Sequence, residues 1–469
     1  MSDIVLLGLE QNLDKEGITS QNEECEFIGI EYVSAYANQH GLKTKVLHKV
    51  NSVEDVLQEN PKLVGLSVMV SNYDNSREFS KAIKKVKPDT KIIWGGPHAS
   101  NYYEELLKER SVDYIVLGEG EKSFSKLANS LMNFQETNTI EGIAFFDGLK
   151  IHKNTRPLRL TSKELNSIDF SVIHNAKDYS KFYAKQIPHT IPNDEMNFAM
   201  VVGSRGCWND CSFCSSNSIW GRSITRRSPE NIVDEIEFLV NDKDINFIFF
   251  GDDDFLINGN WANNISNEIN KRKIDVNYHV MASVRSASKF NSFDSLKESG
   301  CCEITIGMET TNQQILDSIG KGYEVHSLIP VANEITSNQI HLGLYYMLGY
   351  PEQTSEDLKR DHEFIQTIPF SRIRAVFLTP YPGTRLYDEI DSKGLWLEGC
   401  RNNFSHYTCD QPVIKSVASP EELVEARKNV LSLYFSDEYH GRMKKIYKGN
   451  PKSEKAFHGF QSFMKGVLK

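Results

Sequence analysis

Three of the chain's eight cysteines fall in one short run, Cys207-Trp-Asn-Asp-Cys211-Ser-Phe-Cys214. The spacing is Cys-x3-Cys-x2-Cys, and soft thiolates set this close suit an iron–sulfur cluster. A four-iron cluster held by three protein thiolates leaves one iron open to another ligand, the arrangement a catalytic metal site keeps and a structural one closes. A zinc site would call for two Cys or Cys/His pairs separated by a longer loop, and no partner pair lies nearby. A disulfide needs an oxidising compartment. The sequence offers no route to one, since it opens Met-Ser-Asp and enters a short apolar strand at 4–7 that is unlike a secretory signal. The spacing favours a cluster, with zinc or inert thiols as the alternatives.

Such a loop needs a scaffold to hold it. A length of 469 residues allows two or three domains. The formal charge of −10 argues against a large nucleic-acid footprint. No apolar run approaches a membrane span, and no short repeat is evident. Reduced cysteines and the absence of a targeting signal lead us to expect a cytoplasmic protein.

Residues 1–145 alternate strand and helix signals. Strands are expected at 4–9, 44–47, 63–70, 91–94 and 113–117, with helices at 29–41, 75–86 and after Gly118-Glu-Gly-Glu121. This pattern reads as a parallel, doubly wound sheet, whose ligands bind beyond the C-terminal strand ends. Ser67, Gly95-Gly96-Pro97-His98 and Gly118 stand at those ends, where glycine lets a bulky ligand approach the backbone or simply makes a tight turn. Residues 146–196, punctuated by Pro157, Pro188 and Pro192, read as a connector. Its tyrosines and Phe182 are expected to pack locally.

Residues 197–395 alternate again. Six expected strands lead in turn to the cysteine loop, Gly251-Asp-Asp-Asp254, Arg285, Glu309, Gly349-Tyr-Pro-Glu352 and Thr379-Pro-Tyr-Pro-Gly383. Polar groups at C-terminal strand ends mark a βα barrel, and six units make a partial one, open on one side. Residues 396–469 read as a helical region. Ser419 is suited to cap a helix that begins at Pro420, and the basic tail reads as a solvated surface.

Taken together, these motifs resemble the radical S-adenosylmethionine (SAM) enzymes, in their cobalamin-dependent branch. Gly203-Ser-Arg-Gly-Cys207 through Cys214, Arg227-Ser-Pro-Glu230, Phe250-Gly-Asp-Asp-Asp-Phe255, Gly307-Met-Glu309, Leu348-Gly-Tyr-Pro-Glu352 and Tyr381-Pro-Gly-Thr384 are similar to that group in order and spacing. Gly95-Gly-Pro-His98 and Gly118-Glu-Gly-Glu121 are similar to its cobalamin-binding domain. The resemblance implies an α/β protein of defined layout: a Rossmann-like cobalamin-binding domain at 1–145, a connector at 146–196, a partial (β/α)6 radical SAM barrel at 197–395 and a small helical C-terminal region at 396–469. It implies a [4Fe–4S] cluster on Cys207, Cys211 and Cys214, with SAM chelating the open iron and yielding a 5′-deoxyadenosyl radical. Gly251, Asp252, Arg285, Glu309, Gly349 and Glu352 would then serve SAM, with Arg285 forked on its carboxylate. Ser67, Gly95, Gly96 and Gly118 would line the cobalamin.

Two departures stand out. Trp208 occupies a position where many relatives carry proline. The region from Gly8 to Gly17 lacks the Asp-x-His-x-x-Gly segment whose histidine ligates cobalt, so cobalamin is expected without a protein histidine; His40 and His98 are poor substitutes. The resulting expectation is a cobalamin-dependent methyltransferase. It would act on an unactivated carbon (or a phosphinate phosphorus) of a small molecule or peptide, through methylcobalamin, with electrons from a flavodoxin or ferredoxin. Neither nucleic acid nor membrane is expected as a partner. One alternative is radical chemistry without methyl transfer, such as epimerisation, rearrangement, ring contraction or dehydrogenation, for which Cys400 and Cys409 are the candidate hydrogen donors. Another is a non-catalytic corrinoid protein, against which the intact cysteine loop argues.

Overall fold

The computed structural model describes residues 2–9, 27–155, 159–174, 191, 195–447 and 451–467. The connector's Phe182, Pro157, Pro188 and Pro192, and residues 10–17 of the segment lacking a histidine, lie outside them.

The N-terminal sheet has seven strands: β1 (Ile4–Gly8), β2 (Thr44–Leu47), β3 (Leu63–Ser67), β4 (Lys91–Gly95), β5 (Tyr114–Val116), β6 (Ile143–Phe146) and β7 (Ile151–Lys153). Their order is β2-β1-β3-β4-β5-β6-β7. The first five are parallel, and β1, which is buried throughout, reads as an uninterrupted apolar run because helices cover both faces. The strand order reverses between β1 and β3, the switch point where such sheets bind ligands. β6 and β7 are antiparallel and extend the sheet past residue 145. Their turn is Asp147-Gly148, in which the Asp147 carboxylate accepts the N–H groups of Leu149 and Lys150, each at 2.8 Å, and Gly148 has φ +98°.

The second sheet is the expected arc of six parallel strands. β8 (Phe198–Val201) is followed by the two-residue pair β9 (Ser204–Arg205) and β10 (Thr225–Arg226), then by β11 (Phe247–Phe250), β12 (Asn277–Ser283), β13 (Cys301–Glu309), β14 (His341–Leu348) and β15 (Arg372–Phe377). The order β15-β14-β13-β12-β11-β8 leaves β8 and β15 as edges. Ile304, Ile306, Leu342, Leu344, Ile373, Ala375 and Phe377 belong to the apolar core. Strand alternation therefore turns Glu303, Thr305, Gly343, Tyr345, Arg372 and Arg374 to the inside of the arc. The C-terminal helices close the free edge of β15. Tyr434 Oη accepts the Ile373 N–H (2.6 Å) and donates to its carbonyl (2.7 Å), Tyr439 Oη donates to Ser371 O (2.6 Å) and Arg427 Nε to Ala375 O (3.0 Å). The helix Pro420–Ser432 starts as the sequence indicates, with Ser419 and Glu422 forming a capping box.

Buried charges join the two sheets. Arg205 of β9 pairs with Glu119 (2.5 Å) and Glu121 (2.8 Å) of the N-terminal domain and lies over the Tyr32 ring at 4.8 Å. Arg227 pairs with Glu235, which also bonds His174 at 2.7 Å. On the opposite flank, Phe404 is set among the rings of Tyr73, His98 and Tyr102, at centroid distances of 5.3, 4.5 and 5.3 Å.

Candidate active site

The cysteine loop leaves β9 at Gly206, whose φ of +97° and close approach to Ser223 O admit no side chain: a Cβ would lie 2.3 Å from that oxygen. Three surrounding elements hold the loop. Ser212 N–H donates to Ile319 O (2.9 Å), and Leu386 N–H donates to Ser212 O (3.0 Å). Arg385 donates to Asp210 O at 2.5 Å. Asp253, the middle acid of its run, accepts from Gly206 N–H (3.1 Å) and Ser216 Oγ (2.9 Å). The three thiols are free and half-buried. Burial pushes Cys207 up to about 11 and Cys214 up to about 12, and raises Cys211 as well, so metal must displace their protons on binding. Among the described residues no three His, Cys, Asp or Glu side chains converge on a single-ion site.

The residues assigned to SAM fall into two groups. Gly251, Asp252, Glu309 and Gly349 gather at the C-terminal ends of β11, β13 and β14. Asp252 is fully buried and accepts from Gly203 N–H (3.1 Å) and Ser204 Oγ (2.5 Å); burial nevertheless pushes its carboxyl up to about 7. It thereby braces the start of the cysteine loop. Glu309 has φ +67° at an irregularity in the β13–β14 register and pairs with Lys321 at 2.5 Å. Gly307 makes room for that pair, since a Cβ there would lie 2.3 Å from Glu309 Oε1 and 2.5 Å from Lys321 Nζ. Gly349, at φ +91°, donates its N–H to Gln353 Oε1 (2.7 Å). Arg285 and Glu352 are exposed; Arg285 lies beside Gly322, its Nη1 3.6 Å from where a Cβ on that glycine would stand, and Gln353, next to Glu352, turns inward.

Lys321 stands at this site too, although the sequence reading does not single it out. Its ammonium lies 5.7 Å from the centre of the Phe213 ring. Burial alone would lower its pKa, but Glu309, Cys211 and Cys214 together hold it above the ordinary lysine range. The available signal was Gly320-Lys-Gly322, in which both glycines have positive φ (+72° and +69°) and a Cβ on Gly320 would strike Asp210 O at 2.5 Å. Arg226, near Asp252, was missed too; its Nε and Nη2 are buried without a hydrogen bond among the described residues.

At the N-terminal sheet's C-terminal edge, Ser67, Gly95, Gly96 and Gly118 do converge, but their roles differ. Gly95 has room for a side chain, since an added Cβ would only touch Val116, at 3.9 Å. Gly96, at φ +94°, presses on Val68, whose carbonyl would be 2.9 Å from such a Cβ. Gly118 has φ +66° and donates its N–H to Ser100 Oγ (2.9 Å). Asn72 organises the neighbouring loops: it donates to Leu9 O and Ser67 O and accepts from Met69 N–H. The uncrowded backbone at Gly95 and the half-exposed Met69 suit a large planar ligand. His98 is buried under Phe404, and burial drops its pKa to about 3.

Cys409 lies beside the end of β15, its carbonyl accepting Phe377 N–H (2.9 Å) and its Sγ 3.1 Å from Tyr381 Oη. Cys400 is buried earlier in the segment, 3.5 Å from His406 Nδ1. Cys301 and Cys302 begin β13, at the opposite end of the arc from the cysteine loop. A cavity of about 410 Å³ lined by Tyr73, Arg77, Glu109 and Asn402 shares no residue with the cysteine loop. Arg77 is already paired there with Asp74 and Glu109.

A family model described as the B12 binding domain matches residues 18–128, and one described as the radical SAM superfamily matches 201–365. The chain is a B12-binding radical SAM protein. The two matched domains are those that take cobalamin and SAM. This radical SAM protein is 27% identical over 384 residues to an uncharacterized methyltransferase of Pyrococcus horikoshii, covering 80% of the chain and 79% of that protein. It is 22% identical over 430 residues to the cytidylyl-2-hydroxyethylphosphonate methyltransferase of Streptomyces wedmorensis, covering 78% of each. Among solved structures it shares its fold with the radical SAM methyltransferase TsrM of Kitasatospora setae, determined with cobalamin and a [4Fe–4S] cluster bound. The TM-score is 0.68 at 19% identity, covering 91% of this chain and 85% of that one.

Proposed function

We propose that the protein transfers a methyl group from SAM to an unactivated carbon, or to a phosphinate phosphorus, of a small molecule or peptide. The observation that carries this reading is the junction between the two sheets. Arg205 at the mouth of the cysteine loop is locked to Glu119 and Glu121 at the C-terminal edge of the B12-binding sheet. Next to it, Asn101 donates to Ser218 Oγ at 2.8 Å. The two strand-end surfaces are thus fastened together, which supports a substrate shared between them. The groups bound there bring one-electron cleavage of SAM and methyl carriage.

The chain's own residues supply the setting. Cys207, Cys211 and Cys214 are the cluster ligands, and Phe213 shields them from water. Glu309 and Lys321 form a buried ion pair at the SAM end, able to exchange partners when a zwitterion arrives. Gly95 admits the corrinoid. The named relatives support a methyltransferase, and electrons would come from a flavodoxin or ferredoxin. Cys409, in contact with Tyr381, favours a second reading, hydrogen-atom return to a substrate radical without methyl transfer.

Anaerobic incubation with SAM, a reductant, hydroxocobalamin and candidate substrates separates the readings. S-adenosylhomocysteine formed together with 5′-deoxyadenosine supports methylation. 5′-Deoxyadenosine alone, with an altered but unmethylated product, selects the second reading.

A further inference from the structure

We propose that the inside of the arc is an anion-recognition site, in which Arg374 holds a carboxylate or phosphoryl group of the substrate. The proposal rests on the reading that the substrate reacts at the mouth of this barrel.

Alternation along β15 places Arg372, Arg374 and Val376 on the inner face, because Ile373, Ala375 and Phe377 belong to the apolar core. The two arginines have opposite circumstances. Arg372 is buried and neutralised: its Nε and Nη2 reach Glu303 Oε1 at 2.9 and 2.7 Å, and Nη2 reaches Thr305 at 2.9 Å. Gly343 exists to admit that group, since a Cβ there would lie 2.6 Å from Glu303 Oε1. Arg374 is exposed although it faces inward, and it makes no hydrogen bond or ion pair among the described residues.

Its neighbours are those of a binding site rather than of a solvated surface. Tyr345 pairs with it in register on β14, and Tyr345 Oη lies 4.0 Å from Met281 Sδ across the arc. The Tyr381 hydroxyl, in contact with Cys409, is close enough to feel the charge of Arg374. Met200 and Met281 are half-buried on the facing strands. At this level Glu303 already belongs to Arg372, and burial drops His279 and His341 to about 4, leaving both neutral. Among the described residues Arg374 is thus a positive charge without an ion-pair partner at this level, set between two phenols and flexible thioethers, since nearby Asp410 is paired with Arg427. A guanidinium with all its donors free pairs with planar or tetrahedral oxyanions in a fork. The complementary substrate has an anionic end for Arg374 and an apolar or aromatic body against Tyr345 and the methionines.

The test uses the cofactor-loaded protein, saturated with SAM so that the SAM carboxylate site is filled. Benzoate, phenyl phosphate and benzamide serve as probes in ligand-observed NMR titrations. The anions should bind roughly tenfold or more tighter than the amide, the range expected of a charge-assisted hydrogen-bonded pair. Arg374→Gln should bring them down to the level of benzamide, and Arg374→Lys should keep part of the preference. The tighter of the two anions assigns carboxylate or phosphoryl. Iron content and the cobalamin spectrum of each variant show that it has folded. Equal binding of anion and amide by the wild type, no binding of either anion, or an undiminished preference in Arg374→Gln would each overturn the proposal. The methyl-transfer reading stands or falls separately, on the wild type's own S-adenosylhomocysteine and 5′-deoxyadenosine.

Discussion

Lys321 shows how a residue that looks ordinary in sequence becomes decisive in the fold. A lone lysine reads as surface, and what distinguishes this one lies far from it along the chain: Glu309 twelve positions earlier and the cysteine loop about a hundred. Removing one partner of a buried pair leaves the other uncompensated, at a cost of about 3–5 kcal/mol. Lys321→Met should therefore lower the stability of the apo protein, measured by denaturant unfolding, and weaken SAM binding by the cluster-loaded protein. Lys321→Arg should restore part of both, and a methionine variant indistinguishable from wild type would leave the pair without a role. Asp252 makes a second prediction at this scale. Its folded pKa of about 7 lies above the value for an unfolded chain, so the folded state holds a proton that the unfolded state releases. The resulting stability is fully present below about pH 4, declines by about 1.4 kcal/mol per unit as pH rises, and is gone at about pH 7. Relative to Asp252→Asn, the wild type should lose melting temperature between pH 4 and 7 and run parallel above it; curves parallel throughout would refute the assignment. The cysteines and the strand-end glycines and acids were legible because spacing alone exposes them. The exposure of Arg285 and Glu352 was not, because a strand-end position says nothing about which way a side chain turns.

Among the elements, the strands of both sheets were legible because parallel strands covered on both faces read as unbroken apolar runs. β6 and β7 are not, and residues 146–153 read as connector. Strands of four and three residues are too short to display alternation, although Asp147-Gly148 is a hairpin signal. Gly95, which ends β4, and Gly96 read alike in sequence, as a ligand approach or a tight turn, and the structure gives them different surroundings. Gly96→Ala should destabilise the β3–β4 junction by more than about 1 kcal/mol, since its positive φ and the Val68 carbonyl both oppose a side chain. Gly95→Val should leave the melting temperature nearly unchanged while reducing cobalamin uptake. Thermal melts combined with cobalamin absorbance check both; the opposite pattern would exchange the two roles.

For the molecule as a whole, the order of the domains was legible and their joint was not. Arg205 sits in a motif of one domain and Glu119 and Glu121 in a motif of the other, and no local pattern says that they meet. Arg205→Ala strands two buried carboxylates, of which Glu119 is already raised by burial and by Glu121. The variant should unfold calorimetrically in two separated transitions where the wild type shows one, and a single unshifted transition would show that the domains are held by other contacts. The capped edge of β15 has a different consequence. An open arc keeps a wide mouth for substrate, but an uncovered border strand invites a strand from another copy and, with it, self-association into aggregates. Tyr434, Tyr439 and Arg427 occupy the backbone groups of Ser371, Ile373 and Ala375 that such a strand would need. These three side chains let the barrel remain unclosed without becoming a template for polymerisation.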